Sequence, residues 1–194
     1  MKKVCNIIII VLLLTAIIIS TKIVEIRKKS QENEKNISNT ITTIKETLGE
    51  NKLEENDEIP FIKHEGYQVI GTIKIDKINI EYPILNANTE DAMKKSIIKF
   101  WGDKVNGIGN LTMAGHNNRD GTMFGNIARL ETGDKIQILD LYNNLVEYKV
   151  FEKFVTSPDD VNVVNQIEEE TKEITLITCT NGNKNRLVIK AREI

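Results

Sequence analysis

The sequence predicts an all-β domain, a barrel or sandwich of roughly eight short strands with only short helices, behind an N-terminal transmembrane helix and a polar stalk. Three observations lead there. From Gln68 onward apolar residues recur at every second position in short runs. Turn signals built on Gly, Asn, Asp and Pro separate those runs. Ahead of them the composition changes twice, from almost purely apolar to charged and from charged to alternating.

The first segment, residues 1–24, opens with Lys2 and Lys3 and is apolar from Val4 to Ile19, interrupted by Cys5, Asn6 and Thr15. Read through Val24 it is about 20 residues, enough to cross a bilayer core as a helix. A cleaved signal peptide would look similar, but Ile17-Ile18-Ile19-Ser20 lacks the small-x-small pattern that signal peptidase needs, so an uncleaved anchor is expected. Lys2 and Lys3 on one side oppose Lys22, Arg27, Lys28 and Lys29 on the other, and these charges do not settle orientation. Residues 25–60 are polar, with Ile37, Ile41, Ile44 and Leu48 thinly spaced along them. That stripe suits a helix too weakly apolar to form a core. The segment is therefore expected to be a solvated, partly helical stalk rather than a partner-binding coiled coil. Pro60 closes it.

Residues 61–194 form the predicted domain. Val69 to Ile75 and Ile78 to Tyr82 alternate as half-buried strands around Asp76-Lys77, and Pro83 is expected to limit the second. Asn88-Thr89-Glu90-Asp91 resembles a helix start with acids in its first turn, opening a short helix towards Ile97. Asn110 to Gly115 reads as a buried strand ending at His116, after which Asn117 to Gly121 turn. Phe124, Ile127 and Leu130 suit one face of a short helix. Strands follow at Lys135 to Asp140 and Val146 to Thr156, then a looser connection through Pro158 and Val163-Val164. The run Thr175 to Thr180, the turn Asn181 to Asn185 and the run Arg186 to Ala191 complete a β-hairpin.

Composition narrows the function. Charged residues make up 28% and the formal net charge is -2, without the basic surplus of a nucleic-acid binder. Of two cysteines, Cys5 lies in the apolar segment, so Cys179 is alone in the domain and no disulfide can form within it. In the hairpin the last residue of one strand and the first of the next lie near each other, which brings Cys179 beside Arg186. A thiol attacks as thiolate, and with an ordinary pKa of about 8.5 only a few per cent is ionised at neutral pH. An imidazole supplies what is missing, holding the proton and later giving it to a leaving amine. His116, at a strand end, is the candidate. Arg186, always charged and rich in donors, suits the oxyanion that forms when sulfur attacks a carbonyl. Singly, each residue has an ordinary reading: a small buried hydrophobe, a surface imidazole, a solvated guanidinium.

Thr175-Leu176-Ile177-Thr178-Cys179, followed by Asn185-Arg186-Leu187-Val188, resembles the TLxTC and downstream Arg signature of sortases. Gly71-Thr72-Ile73-Lys74-Ile75 with Pro83-Ile84, Asn110 to His116, Leu130 to Ile136 and Tyr148-Lys149-Val150 extend the resemblance from Gly71 to Ala191. It implies an eight-stranded sortase-type β-barrel and a cysteine transpeptidase. Cys179 would attack the Thr carbonyl of an LPXTG-like sorting signal to form a thioester. His116 would act as general acid and base, and Arg186 would hold the oxyanion or the substrate backbone. The acceptor would be an amine of a lipid II-type cell-wall precursor; in pilin-polymerising members it is a lysine of another subunit. The resemblance also implies a catalytic domain outside the cell membrane and a cytoplasmic N-terminus.

Thr178 and Thr180 are expected to position the site or the substrate, or to serve β-propensity alone, and Ala114 and Ile177 to shape the groove. No cofactor and no metal are expected; Glu168 to Glu170 reads as an exposed charge run rather than a calcium site. The loop from His116 to Gly125 looks like that of class B, yet the segment from Thr156 to Thr175 is too short for the class B insertion. The compact loop between Cys179 and Arg186 leans to class D, and the lack of an extended lid segment favours wall anchoring over pilus assembly. Three rivals stand beside this reading. A papain-like protease expects Cys before His, a thiol–disulfide oxidoreductase needs a second cysteine, and a non-catalytic tethered β-module has no use for Cys179 with His116.

Overall fold

A computed structural model of the protein describes residues 2–49, 53, 58–166 and 170–194. The chain divides into two units at Asn36/Ile37. Helix α1 (Lys2–Leu48) begins in the first, where its apolar stretch is long enough and apolar enough to cross a membrane. Residues 9–19 are exposed there.

The second unit is a β-barrel. Strand β1 (Lys63–His64) is a two-residue edge on β2 (Tyr67–Ile75). There follow β3 (Ile80–Leu85), helix α2 (Glu90–Met93), β4 (Ile97–Trp101), β5 (Gly109–Ala114), β6 (Lys135–Asp140), β7 (Leu145–Thr156), β8 (Lys172–Thr180) and β9 (Asn185–Glu193). The strand order is β1-β2-β3-β4-β5-β8-β9-β7-β6, and β2 also pairs with β6, so the eight strands β2 to β9 close on themselves. Closure leaves no open edge in the ring. At the seam Gly71 lies opposite Asp140, and a Cβ there would stand 2.6 Å from the Leu139 carbonyl oxygen. Ile73, Ile84, Leu85, Ile136, Tyr148 and Leu176 are among the buried side chains that fill the interior.

Three expectations change. The stripe expected to belong to a solvated stalk is buried: Ile37, Ile41, Ile44 and Leu48 are 3%, 7%, 0% and 7% exposed and join the same apolar cluster as the barrel interior. Four residues at helical spacing suffice because the barrel supplies the opposing surface. The Lys45 ammonium, 2.7 Å from a Glu81 carboxylate oxygen, and the Thr40 hydroxyl, 2.7 Å from His64 Nδ1, secure the same segment. Pro83 does not limit β3. It pairs with Thr72 inside the strand, ahead of the point where β4 joins at Ile84, and its carbonyl accepts the Ser96 hydroxyl at 2.6 Å. The helix expected to run towards Ile97 is four residues long. Thr89 caps it by accepting the Ala92 amide at 3.2 Å, and Ile97 instead opens β4, which pairs parallel to β3.

The expected face of Phe124, Ile127 and Leu130 is buried, on a turn of 3₁₀ helix at Ile127–Arg129. Of the charge run Glu168 to Glu170, only Glu170, which is exposed, lies among the described residues.

Candidate active site

Cross-strand register brings the thiol and the guanidinium together. Cys179 of β8 pairs with Arg186 of β9, and Arg186 pairs on its other side with Thr156 of β7. One row therefore reads Thr156, Arg186, Cys179 across three strands. The tight loop Asn181 to Lys184 makes this register possible, with Asn181, Gly182 and Asn183 all at positive φ. Asn and Gly tolerate that region where most side chains do not. Arg186 Nη1 donates to the Asn183 and Asn185 carbonyls, each at 3.2 Å. The guanidinium is thereby anchored to its own loop through Nη1.

His116 arrives from the other side. Strand β5 runs parallel to β8 with Ala114 opposite Ile177, so two more residues along each chain bring His116 level with Cys179. The residues flanking His116 are each tied to β8. On one side the Thr178 hydroxyl donates to the Gly115 carbonyl at 2.7 Å, and the Gly115 amide donates to the Ile177 carbonyl at 3.2 Å. On the other, Asn117 Nδ2 donates to the Cys179 carbonyl at 2.7 Å. The His116 carbonyl accepts the Phe124 amide at 3.0 Å, which folds the following loop back beneath it. Gly115 is needed here: a Cβ would stand 2.5 Å from Ile97 Cδ1 and 2.9 Å from Phe124 Cδ2. His116, Cys179 and Arg186 are all partly exposed.

Beside Cys179 and Arg186 lies a groove of about 360 Å³, whose lining does not include His116. Its floor carries Ile98 of β4, Ala114 of β5 and Ile177 and Cys179 of β8; Arg186 stands at its edge, and the connection from Ser157 to Val164 forms a wall. That wall is held from within, since Val163 packs on Ile177 and Val188 in a cluster separate from the barrel interior. Asp160 caps the 3₁₀ turn Val161–Val164 by accepting the Asn162 amide at 3.0 Å. The Thr156 hydroxyl, bonded to Asp160 at 2.6 Å, heads the causes that hold its carboxyl below the usual carboxylate range.

Of the residues expected to touch substrate, Ala114, Ile177 and Thr178 line the groove, and Thr180 lies outside its lining. Thr178 is 3% exposed and its hydroxyl is committed to Gly115, so it braces the site more than it offers a contact. Sequence reasoning missed Asn117, Met93, Ile98 and Phe100. The last two sit on β4, beyond the short helix expected towards Ile97, in a stretch to which the sequence pattern assigns no element, and Asn117 reads as an ordinary turn residue until its bond to Cys179 is seen. Among the described residues no cluster of His, Cys, Asp and Glu has the makings of a metal site.

A model of the sortase domain matches residues 73–194. The chain belongs to the sortase family. Sortases are cysteine transpeptidases. This sortase is 38% identical to sortase A of Bacillus anthracis over 125 residues, 63% of this chain and 58% of that protein. It is 29% identical to sortase D of Bacillus subtilis over 121 residues, 60% and 57% of the two chains. It thus spans less than two thirds of either relative. Among solved structures, a Clostridium perfringens sortase D5 transpeptidase superposes with a TM-score of 0.64 at 32% identity, covering 84% of this chain and 98% of that one. A Listeria monocytogenes sortase A gives 0.60 at 28% identity, covering 65% and 87%. The closed eight-stranded barrel is the sortase fold, as the motifs around Cys179 implied.

Proposed function

We propose that this sortase is a membrane-anchored transpeptidase that cleaves an LPXTG-like sorting signal after Thr and passes the retained protein to an amine of a cell-wall precursor. One observation carries the reading: Cys179 and Arg186 share a cross-strand pair, and both neighbours of His116 are bonded to the end of the strand that bears Cys179. The Cys179 sulfur attacks the Thr carbonyl carbon, and the π electrons of that bond move to oxygen. Arg186 donates to the oxyanion. Collapse re-forms the carbonyl, breaks the C–N bond, and expels an amine that takes its proton from His116. The thioester is resolved by the acceptor amine. It loses a proton to His116 and forms a new amide as the thiolate departs.

The groove beside Cys179 suits an extended peptide, with apolar Ile98, Ala114 and Val163 for aliphatic side chains. Similarity over nearly all of the sortase D5 chain favours class D. The apolar part of α1 serves as the anchor, with the N-terminus in the cytoplasm and the barrel outside.

The full chain in mild detergent, given a panel of LPXTG-type peptides with candidate amines, is expected to release the C-terminal fragment and to show a thioester mass adduct on Cys179. Cys179→Ala abolishes both. Arg186→Ala lowers kcat by about 10² to 10³, the scale of losing one oxyanion donor. A folded chain that forms no thioester with any of the panel would refute the reading.

A further inference from the structure

The groove beside Cys179 does not stop at the edge of the barrel sheet. Beyond Asn88 and Phe100, which line it, those same two residues also line a second depression of about 620 Å³. Trp101, Gly102 and Gln166 border this second space. Its walls are fixed. Asn88 Nδ2 donates to the Phe100 carbonyl at 3.1 Å, and Gln166 exchanges two bonds of 3.0 Å with the backbone of Asn110. Yet Phe100 is 40% and Trp101 55% exposed, and the barrel interior uses neither. Two adjacent aromatic side chains left in water at the mouth of a substrate groove are costly unless something covers them.

Register gives their distance from the thiol. Trp101 pairs with Thr112 on β5, and Thr112 with Thr175 on β8, four residues before Cys179. Two strand spacings of about 4.8 Å and four residues of about 3.3 Å put Trp101 roughly 16 Å from Cys179, the length of about five extended residues. With the Thr carbonyl at Cys179, the Leu of the motif lies three residues upstream. Trp101 then faces the first or second residue ahead of that Leu. The upstream direction follows from the lining: the motif's Leu and Pro precede its Thr, and the apolar side chains that suit them, Ile98, Ala114 and Val163, line the groove that shares Phe100 with the second depression.

We propose that Phe100 and Trp101 form a subsite for the one or two residues immediately upstream of the sorting motif, favouring an aromatic or large aliphatic side chain there. The inference rests on the transpeptidase reading above. The polar rim balances Lys99 against Asp103, and the Lys99 ammonium is taken up by the Asp103 carbonyl at 2.8 Å, so the selection is for apolar surface rather than charge.

The chain has one tryptophan, so its fluorescence reports this site alone. Full-length Cys179→Ala protein in detergent is titrated with Phe-Phe-LPETG and Ser-Ser-LPETG peptides. The Phe-Phe peptide is expected to bind at least about threefold tighter, the scale of an added aromatic pair, and to shift tryptophan emission to shorter wavelength. The Ser-Ser peptide leaves the emission in place. In turnover by the unmutated enzyme the same preference enters through KM, and Trp101→Ala makes the two peptides equal. Cleavage of both peptides with equal KM and unmoved emission overturns the subsite while leaving the transpeptidase reading standing. Cleavage of neither overturns that reading, and the subsite with it.

Discussion

Replacing Ile44 by alanine tests whether the second half of α1 is part of the fold. Ile44 is fully buried, at 0% exposure, in the cluster that also holds the barrel interior. The substitution removes three carbons, and at about 0.8 kcal/mol per buried carbon the lost transfer free energy is ~2.4 kcal/mol. A cavity is left between two elements that cannot both collapse into it, so a total loss of about 3 kcal/mol is expected, within the range for such truncations. Glu46→Ala, on the exposed side of the same helix, is the control and should stay within ~0.5 kcal/mol. Urea unfolding of the full chain in detergent, followed by far-ultraviolet circular dichroism, gives both values. If Ile44→Ala unfolds within ~0.5 kcal/mol of the unmutated protein, the helix does not stabilise the barrel and the buried stripe has been misread.

Two further outcomes are expected. Thr178→Val keeps the shape of the side chain but removes its bond to Gly115, costing about 1 kcal/mol of stability. Because that bond also sets the strand end leading to His116, kcat should fall while KM for peptide holds; an unchanged kcat would reduce Thr178 to a purely structural brace. For His64, burial dominates and pushes its pKa down, opposed by Glu65 and by the backbone of Lys95. The folded protein therefore holds the neutral ring more firmly than the unfolded chain does. Stability is full above the unfolded value of about 6.5 and is lost as pH falls below it towards the lowered folded value, at no more than about 1.4 kcal/mol per pH unit. Comparing urea midpoints of the unmutated protein and His64→Asn at pH 7.5 and 5.5 isolates this term, and identical pH dependence in the two would count against it.

Local geometry made the hairpin legible in the sequence. A Gly-containing turn between two β-branched runs sets an antiparallel register over a few residues, and the Cys179–Arg186 pair follows. His116 was legible only as a strand end, because its approach depends on the parallel pairing of β5 with β8, which no local pattern encodes. The same limit hid β4. Its Ile97–Trp101 run is short and pairs parallel to β3, and it meets β5 antiparallel only across the long loop from Gly102 to Ile108 and with a shift of register, so no tight turn announces it. The stripe on α1 misled for a different reason. Hydrophobic periodicity weighs a helix by itself, and four apolar residues are thin until a preformed barrel surface receives them. Pro83 lacks an amide, yet Thr72 still pairs opposite it and its carbonyl accepts the Ser96 hydroxyl, so the strand runs through it.

The parallel seam between β5 and β8 also governs when the enzyme comes into being. Thr178 and Gly115 are 63 residues apart along the chain, and closing so long a loop is slow compared with zipping a hairpin. The β8–β9 hairpin can therefore place its sulfur beside its guanidinium before an imidazole reaches them. The approach of His116 to Cys179 thus waits on the meeting of two distant strands, and a chain stalled short of that step bears a thiol without the imidazole beside it.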